Sequence, residues 1–157
     1  LTLFSYDELF GTVLNRFIVQ AVAGYPLTVY GKGGQTRGYL NIKDTLQCVR
    51  LAIENPPKSG ELNIFNQFTE TFSVNELAKK VQNSASKLGL EVQIKNIDNP
   101  RKEMEEHYYN PVHTGLLDLG LEPSYLTDSE LNKIIEHVLK YKESIDKHKI
   151  FRGVKWA

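Results

Sequence analysis

A chain of 157 residues, 41% hydrophobic and 24% charged, has the size and composition of one globular domain able to bury a sizeable core. Its 19 Lys and Arg balance 19 Asp and Glu, which excludes a bulk field recruiting nucleic acid or an anionic membrane. Apolar runs fall far short of the roughly 20 residues of a membrane helix, and a single cysteine, Cys48, excludes an internal disulfide framework and favours a reducing compartment.

The opening Leu1-Thr2-Leu3-Phe4 has no Met and no positive region, so it reads as a chain entered mid-protein rather than a secretory leader or a start. Asp7 is placed to cap a helix reaching about Ala23, with Leu9, Val13, Phe17, Gln20 and Val22 along a rough stripe. Gly24 and Pro26 stop it. Leu27 to Tyr30 is a short extended run, ended by Gly31-Lys32-Gly33-Gly34. A second run, Arg37 to Ile42, leads into Asp44, which with Gln47 forms a capping-box pattern for a helix through Leu46, Val49, Ala52 and Ile53. Asn55-Pro56-Pro57 ends that helix, and Leu62 to Phe65 suits a buried strand. Ser73 with Glu76 opens a further helix through Leu77, Ala78, Val81, Ala85 and Leu88, closed at Gly89. Glu91 to Ile97 alternates as a strand should, and Asn110-Pro111 opens a brief helix closed by Gly120. Thr127 with Glu130 starts the last long helix, whose end is crowded by lysines that suit the macrodipole. The strands lie far apart in sequence and no neighbouring pair makes a hairpin. Several are therefore expected to complete a sheet whose other strands are supplied elsewhere.

Two stretches have the chemistry of anion sites. In Tyr30-Gly31-Lys32-Gly33-Gly34-Gln35-Thr36-Arg37, glycines let backbone N–H groups approach an anion, and Arg37 adds a forked cationic donor. The spacing fits neither a Walker-type phosphate loop nor the dinucleotide glycine fingerprint, and a plain surface hairpin is the competing reading. In Asn99-Pro100-Arg101-Lys102-Glu103, Pro100 holds Asn99 extended, so Arg101 sits in a rigid connection with carboxylates nearby. A solvated charge run is the alternative there. Glu103, Glu106 and His107 lack the helical spacing of metal ligands.

Cys48 reads as a small core residue, His137 as a surface residue, and Phe65, Phe68 and Phe72 as packing aromatics. Tyr39-Leu40-Asn41-Ile42-Lys43 matches Y-x-x-x-K, the catalytic pair of short-chain dehydrogenases. That pair needs one helical face, whereas an extended segment here separates the side chains by about 13 Å.

The order LNRF, GYPLTVYGKGGQTRGYLNIKDTLQC, FNQFTETFSVNELA, NPRKEMEEHYYN and LGLEP resembles the UDP-sulfoquinovose synthase family over nearly the whole chain, from Tyr6 to Trp156. The resemblance implies an α/β fold, the carboxy-terminal substrate domain of a Rossmann-type extended short-chain dehydrogenase/reductase, with a few strands and helices belonging to the parent sheet. Residues 1–157 would then form a single nucleotide-sugar-binding portion. The amino-terminal half, holding NAD and the catalytic Tyr, Lys and Thr, would be absent. Family members convert UDP-glucose and sulfite to UDP-sulfoquinovose for sulfolipid synthesis. The chain alone is expected to be inactive and to bind no NAD.

Carried over from the resemblance, Arg16 and Gln20 face the diphosphate, and Thr28 and Tyr30 meet uracil largely through backbone groups. Gln35 and Arg37 contact ribose and phosphate, Arg101 clamps the diphosphate, and Glu103 accepts from the ribose, with Glu106 its rival. Asn41 and Lys43 depart from the Asp and Arg usual in the family. The implied partners are UDP-glucose or UDP, the missing half if supplied in trans, and further copies of the chain, with no nucleic acid and no membrane insertion. The implied setting is soluble: cytoplasm in a bacterium or archaeon, plastid stroma in a plant or alga. A stand-alone nucleotide-sugar-binding or assembly module without catalysis is the reading from another class, and a fragment that binds nothing is a third.

Overall fold

The computed structural model describes residues 4–7, 11–99 and 112–150. They fall into two compact units, the first drawn from Leu1–Gln35, Ser73–Glu106 and Thr127–Ala157, the second from Thr36–Phe72 and His107–Leu126.

The first unit contains α1 (Val13–Ala23), β1 (Leu27–Tyr30), α3 (Val74–Lys87), β4 (Ile94–Ile97), α5 (Asp128–Lys140), a 3-10 turn (Lys142–Ser144) and α6 (Lys147–Ile150). Helices α1, α3 and α5 pack on one another, burying Phe17, Ile18, Val22, Leu77, Val81, Leu131 and Ile135. Strand β1 pairs with β4 in parallel, from Leu27 opposite Ile94 to Tyr30 opposite Ile97. Sequence alone extends β4 back to Glu91, but β1 offers only four residues to pair with.

Helix α1 is capped by Thr12, whose hydroxyl accepts from the Asn15 N–H at 3.3 Å, and not by Asp7. The Asp7 carbonyl instead accepts from the Gly11 N–H at 3.0 Å. Gly24 takes the left-handed conformation that ends α1. The capping box of α3 forms as its sequence predicts, with Ser73 and Glu76 bonding reciprocally. Those bonds from the Ser73 backbone and hydroxyl hold the Glu76 carboxyl below its ordinary range. The cap therefore stabilises α3 above the usual Glu range and weakens as pH falls through the depressed value. Thr127 caps α5 as expected.

The second unit contains β2 (Thr36–Tyr39), α2 (Ile42–Glu54), β3 (Glu70–Ser73) and α4 (Gly115–Asp118), with β2 and β3 paired to each other. Here the cap of α2 is Asn41, whose side chain accepts from the Lys43 N–H at 3.0 Å. Asn is among the residues that cap best, so Asn41 suits this position. Asp44 is not a cap but the third residue of the helix, and it is fully buried. Because Asn41 already belongs to the cap, β2 stops at Tyr39 rather than Ile42.

Leu51, Leu116 and Leu121 form a small core, with Cys48, Phe65 and Leu119 against it, so Cys48 packs as predicted. Burial and then the Asp44 charge push its thiol pKa up, away from thiolate chemistry. Phe68 stacks on His113 at 4.0 Å and Phe72 lies 5.7 Å from Tyr39, so these aromatics also pack. The brief helix closes at Gly120, φ +97°, as expected, but begins at Gly115; Asn110 and Pro111 lie outside the described residues. The buried strand expected at Leu62–Phe65 does not form. Among the described residues no neighbouring strand pairs with it, and Leu62 and Ile64 are 80% and 78% exposed.

Among the described residues no helix is long and apolar enough to cross a membrane, and no cluster of side chains fits a metal ion.

Candidate functional site

The first unit gathers four of the eight residues singled out in the sequence. Leu27 N–H donates to the Gln93 carbonyl at 2.8 Å and Gly31 N–H to the Ile97 carbonyl at 2.9 Å, so alternate residues of β1 are spent on β4. Thr28 turns its backbone to the other edge. There the Gln20 Oε1 accepts from the Thr28 N–H at 3.0 Å, and the Gln20 Nε2 donates to the Thr28 hydroxyl at 2.7 Å. The Thr28 carbonyl accepts from the Arg16 Nη2 at 3.2 Å. Arg16 and Gln20 stand one turn apart on the same face of α1, the relation that a spacing of four imposes.

The Arg16 guanidinium also lies 4.5 Å from the centre of the Tyr30 ring and 5.7 Å from that of Phe17, within cation–π range. Gln20 is fully buried, and Arg16 and Thr28 nearly so. A polar group buried this deeply needs a partner, and Thr28 supplies that of the Gln20 amide and of one Arg16 guanidinium nitrogen. Contact between uracil and the Thr28 N–H would therefore require Gln20 to release it, whereas the Thr28 carbonyl, bonded by Arg16, can accept a second donor. Gln20→Ala is expected to orphan the buried Thr28 N–H and cost about 2–3 kcal/mol, read as a fall in the urea midpoint at unchanged slope. A loss near zero would mean that water replaces the amide.

Gln35 ends the glycine loop of the same unit. Its Oε1 is buried and meets no hydrogen-bond donor among the described residues. Arg37 belongs to the second unit, on β2, exposed, with Nη1 donating to the neighbouring Thr36 carbonyl at 2.9 Å. Arg101, Glu103, Glu106 and His107 lie outside the described residues. Tyr39 ends β2 whereas Lys43 sits in the first turn of α2, so they do not share a helical face. Burial pushes the Tyr39 phenol up to about 12, with Arg37 pulling it back, the opposite of what a proton-transfer tyrosine needs. His137 is exposed, as expected.

Sequence reasoning missed Asn75 and Asn96. Their amides donate to the Lys32 and Gly31 carbonyls at 2.7 and 2.8 Å and so hold the glycine loop. No local signal marks an Asn whose partner lies 43 or 65 residues away.

No family model matches the chain. It is 56% identical over 153 residues to the chloroplastic UDP-sulfoquinovose synthase of Spinacia oleracea, a match covering 98% of this chain and 32% of the relative. The chain belongs to the UDP-sulfoquinovose synthase family. The Sulfolobus acidocaldarius UDP-sulfoquinovose synthase is 46% identical over 157 residues, covering 99% of this chain and 40% of that relative. The chain thus spans about a third to two-fifths of these family members, in their carboxy-terminal portion.

Among solved structures, the UDP-glucose 4-epimerase of Thermotoga maritima, determined with UDP-glucose, superposes with a TM-score of 0.67 at 20% identity, over 83% of this chain and 40% of that one. The UDP-glucose 4-epimerase of Thermus thermophilus, in complex with NAD, gives 0.59 at 21% identity over 80% and 39%. These likenesses show the fold, an α/β one shared with the epimerases; with membership of the synthase family it is the carboxy-terminal portion of a Rossmann-type extended short-chain dehydrogenase/reductase, as expected.

Proposed function

We propose that this chain is the UDP-glucose-binding portion of an enzyme that makes UDP-sulfoquinovose from UDP-glucose and sulfite, for sulfolipid synthesis. NAD and the catalytic residues come from the portion of the family protein that the chain does not span. Residues 1–157 act together as one nucleotide-sugar-binding portion, inactive by itself. The observation that carries this reading is the cluster of Arg16, Gln20, Thr28 and Tyr30 at the edge of β1 away from β4, next to the glycine loop, in a member of this family. In it, Arg16 and Gln20 support the diphosphate side and Thr28 and Tyr30 the uracil. Gln35, Arg37, Arg101 and Glu103 complete the ribose and diphosphate contacts. The buried Gln35 Oε1 is an acceptor suited to a ribose hydroxyl. The chloroplastic name of the spinach relative supports a plastid setting if the source is a plant or alga.

Titration of UDP and uridine separates this reading from general charge attraction. UDP is expected to bind better than uridine, because only a diphosphate offers paired anionic oxygens to two guanidinium forks. Arg37→Ala and Arg101→Ala should each cost about 1.5–3 kcal/mol of UDP binding, whereas Lys32→Ala, removing an exposed point charge, should cost little. Equal losses for Lys32→Ala and Arg37→Ala would eliminate the two-arginine clamp. The chain alone should yield no UDP-sulfoquinovose from UDP-glucose and sulfite.

A further inference from the structure

The glycine loop is anchored in a way that neither the family likeness nor the proposed contacts require. Four of its carbonyls accept hydrogen bonds from the body of the first unit. Asn96 Nδ2 on β4 donates to Gly31 at 2.8 Å, and Asn75 Nδ2 donates to Lys32 at 2.7 Å. The Asn75 N–H donates to Gly33 at 3.0 Å and the Val74 N–H to Gln35 at 3.2 Å. Asn75 therefore bonds the loop twice, through its side chain and its backbone. Gly33 is buried against it in the left-handed conformation, φ +72°, where a Cβ would overlap both the Asn75 amide and Val29. The first two N–H groups of α3, which would otherwise seek a side chain or water, are spent on loop carbonyls.

An untethered glycine-rich loop samples many conformations, and fixing it on ligand binding costs affinity. These four bonds fix it beforehand and set the backbone of Gln35, whose carbonyl is the last one held. From this geometry we infer that Asn75 is a positioning residue for the nucleotide-sugar site, acting on the ligand through Gln35. The inference rests on the proposed role of Gln35 in UDP binding. It assigns to Asn75 no contact with the ligand itself.

Asn75→Asp isolates the effect. The carboxylate keeps the shape of the amide and suits the second position of a helix, where negative charge is favourable, so α3 itself is not weakened. It cannot donate to the Lys32 carbonyl. In the full chain, hydrogen exchange at the Val74 amide, which reports the bond to Gln35, is expected to accelerate while amides in the middle of α3 keep their protection. UDP binding should weaken roughly fivefold, the size of one net hydrogen bond. In a Gln35→Ala background the same substitution should produce no further weakening.

Unchanged Val74 exchange, unchanged UDP affinity, or an undiminished loss in the Gln35→Ala background would each overturn the inference. Failure of the unaltered chain to bind UDP would remove the underlying reading and the inference with it. Normal UDP binding by the Asn75→Asp chain would remove the inference alone.

Discussion

Asp44→Ala is expected to lower the unfolding free energy by roughly 3 kcal/mol, a large share of the stability of a unit with so small a core. The Asp44 carboxylate is fully buried. Its Oδ2 accepts from the Ser124 N–H at 2.8 Å and the Thr69 hydroxyl at 3.0 Å, and Gln47 Nε2 approaches Oδ1 at 3.5 Å. One acid at the start of α2 thus fastens two segments distant in sequence. A second carboxylate repeats the device, since Glu70 Oε2 accepts from the Leu126 N–H at 2.6 Å. Alanine would leave the Ser124 N–H and the Thr69 hydroxyl facing a void, and an orphaned buried donor costs more than the bond that satisfied it contributed. Asp44→Asn keeps one acceptor and should lose about half as much. Urea unfolding followed by far-ultraviolet dichroism checks both. An alanine variant within about 0.5 kcal/mol of the unaltered chain would mean that Asp44 does not hold this unit together.

The misreading of Asp44 shows how far sequence carries. Asp44 and Gln47 stand at capping-box spacing, and that local pattern was legible, as it was for Ser73 with Glu76 and Thr127 with Glu130, where caps do form. What separates the cases lies elsewhere in the chain. Gln47 spends its amide on the Glu122 backbone, 75 residues away, and Asn41 had already taken the cap. Strands fared differently from helices for the same reason. A helix closes its own hydrogen bonds, so α1, α3 and α5 could be read from periodicity and punctuation. A strand exists only where another lies beside it, which shortened β4 and left Leu62–Phe65 unpaired. In the candidate site, the one-turn spacing of Arg16 and Gln20 was visible in the sequence. That both would converge on Thr28, eight and twelve residues on, depended on how β1 folds back under α1. The glycine loop left two readings open because composition does not say which way its peptides turn. Asn75 and Asn96 decide that.

Self-association is the other large effect expected of this chain. Helix α2 carries Ile42, Leu46, Val49 and Ile53 at spacings of four, three and four, which is the pattern of a helix face meant for a core. Yet these side chains are 52%, 68%, 55% and 73% exposed, and Leu62 and Ile64 of the same unit are exposed as well. Fully covering a side chain of this kind is worth about 1.5–3 kcal/mol, so a continuous stripe of them favours association over exposure to water. In the longer proteins of the family we propose that the covering surface is the portion this chain does not span. Without it, two copies can cover each other only imperfectly. Light scattering is expected to show mass rising with concentration, together with binding of a dye specific for apolar surface. Leu46→Lys combined with Ile53→Lys should return the chain to a monomer and abolish the dye signal. Because both side chains already face solvent, the double variant should unfold within about 1 kcal/mol of the unaltered chain. A chain that stays monomeric at high concentration without binding the dye, or a double variant that still associates, would show that this face does not drive the contact.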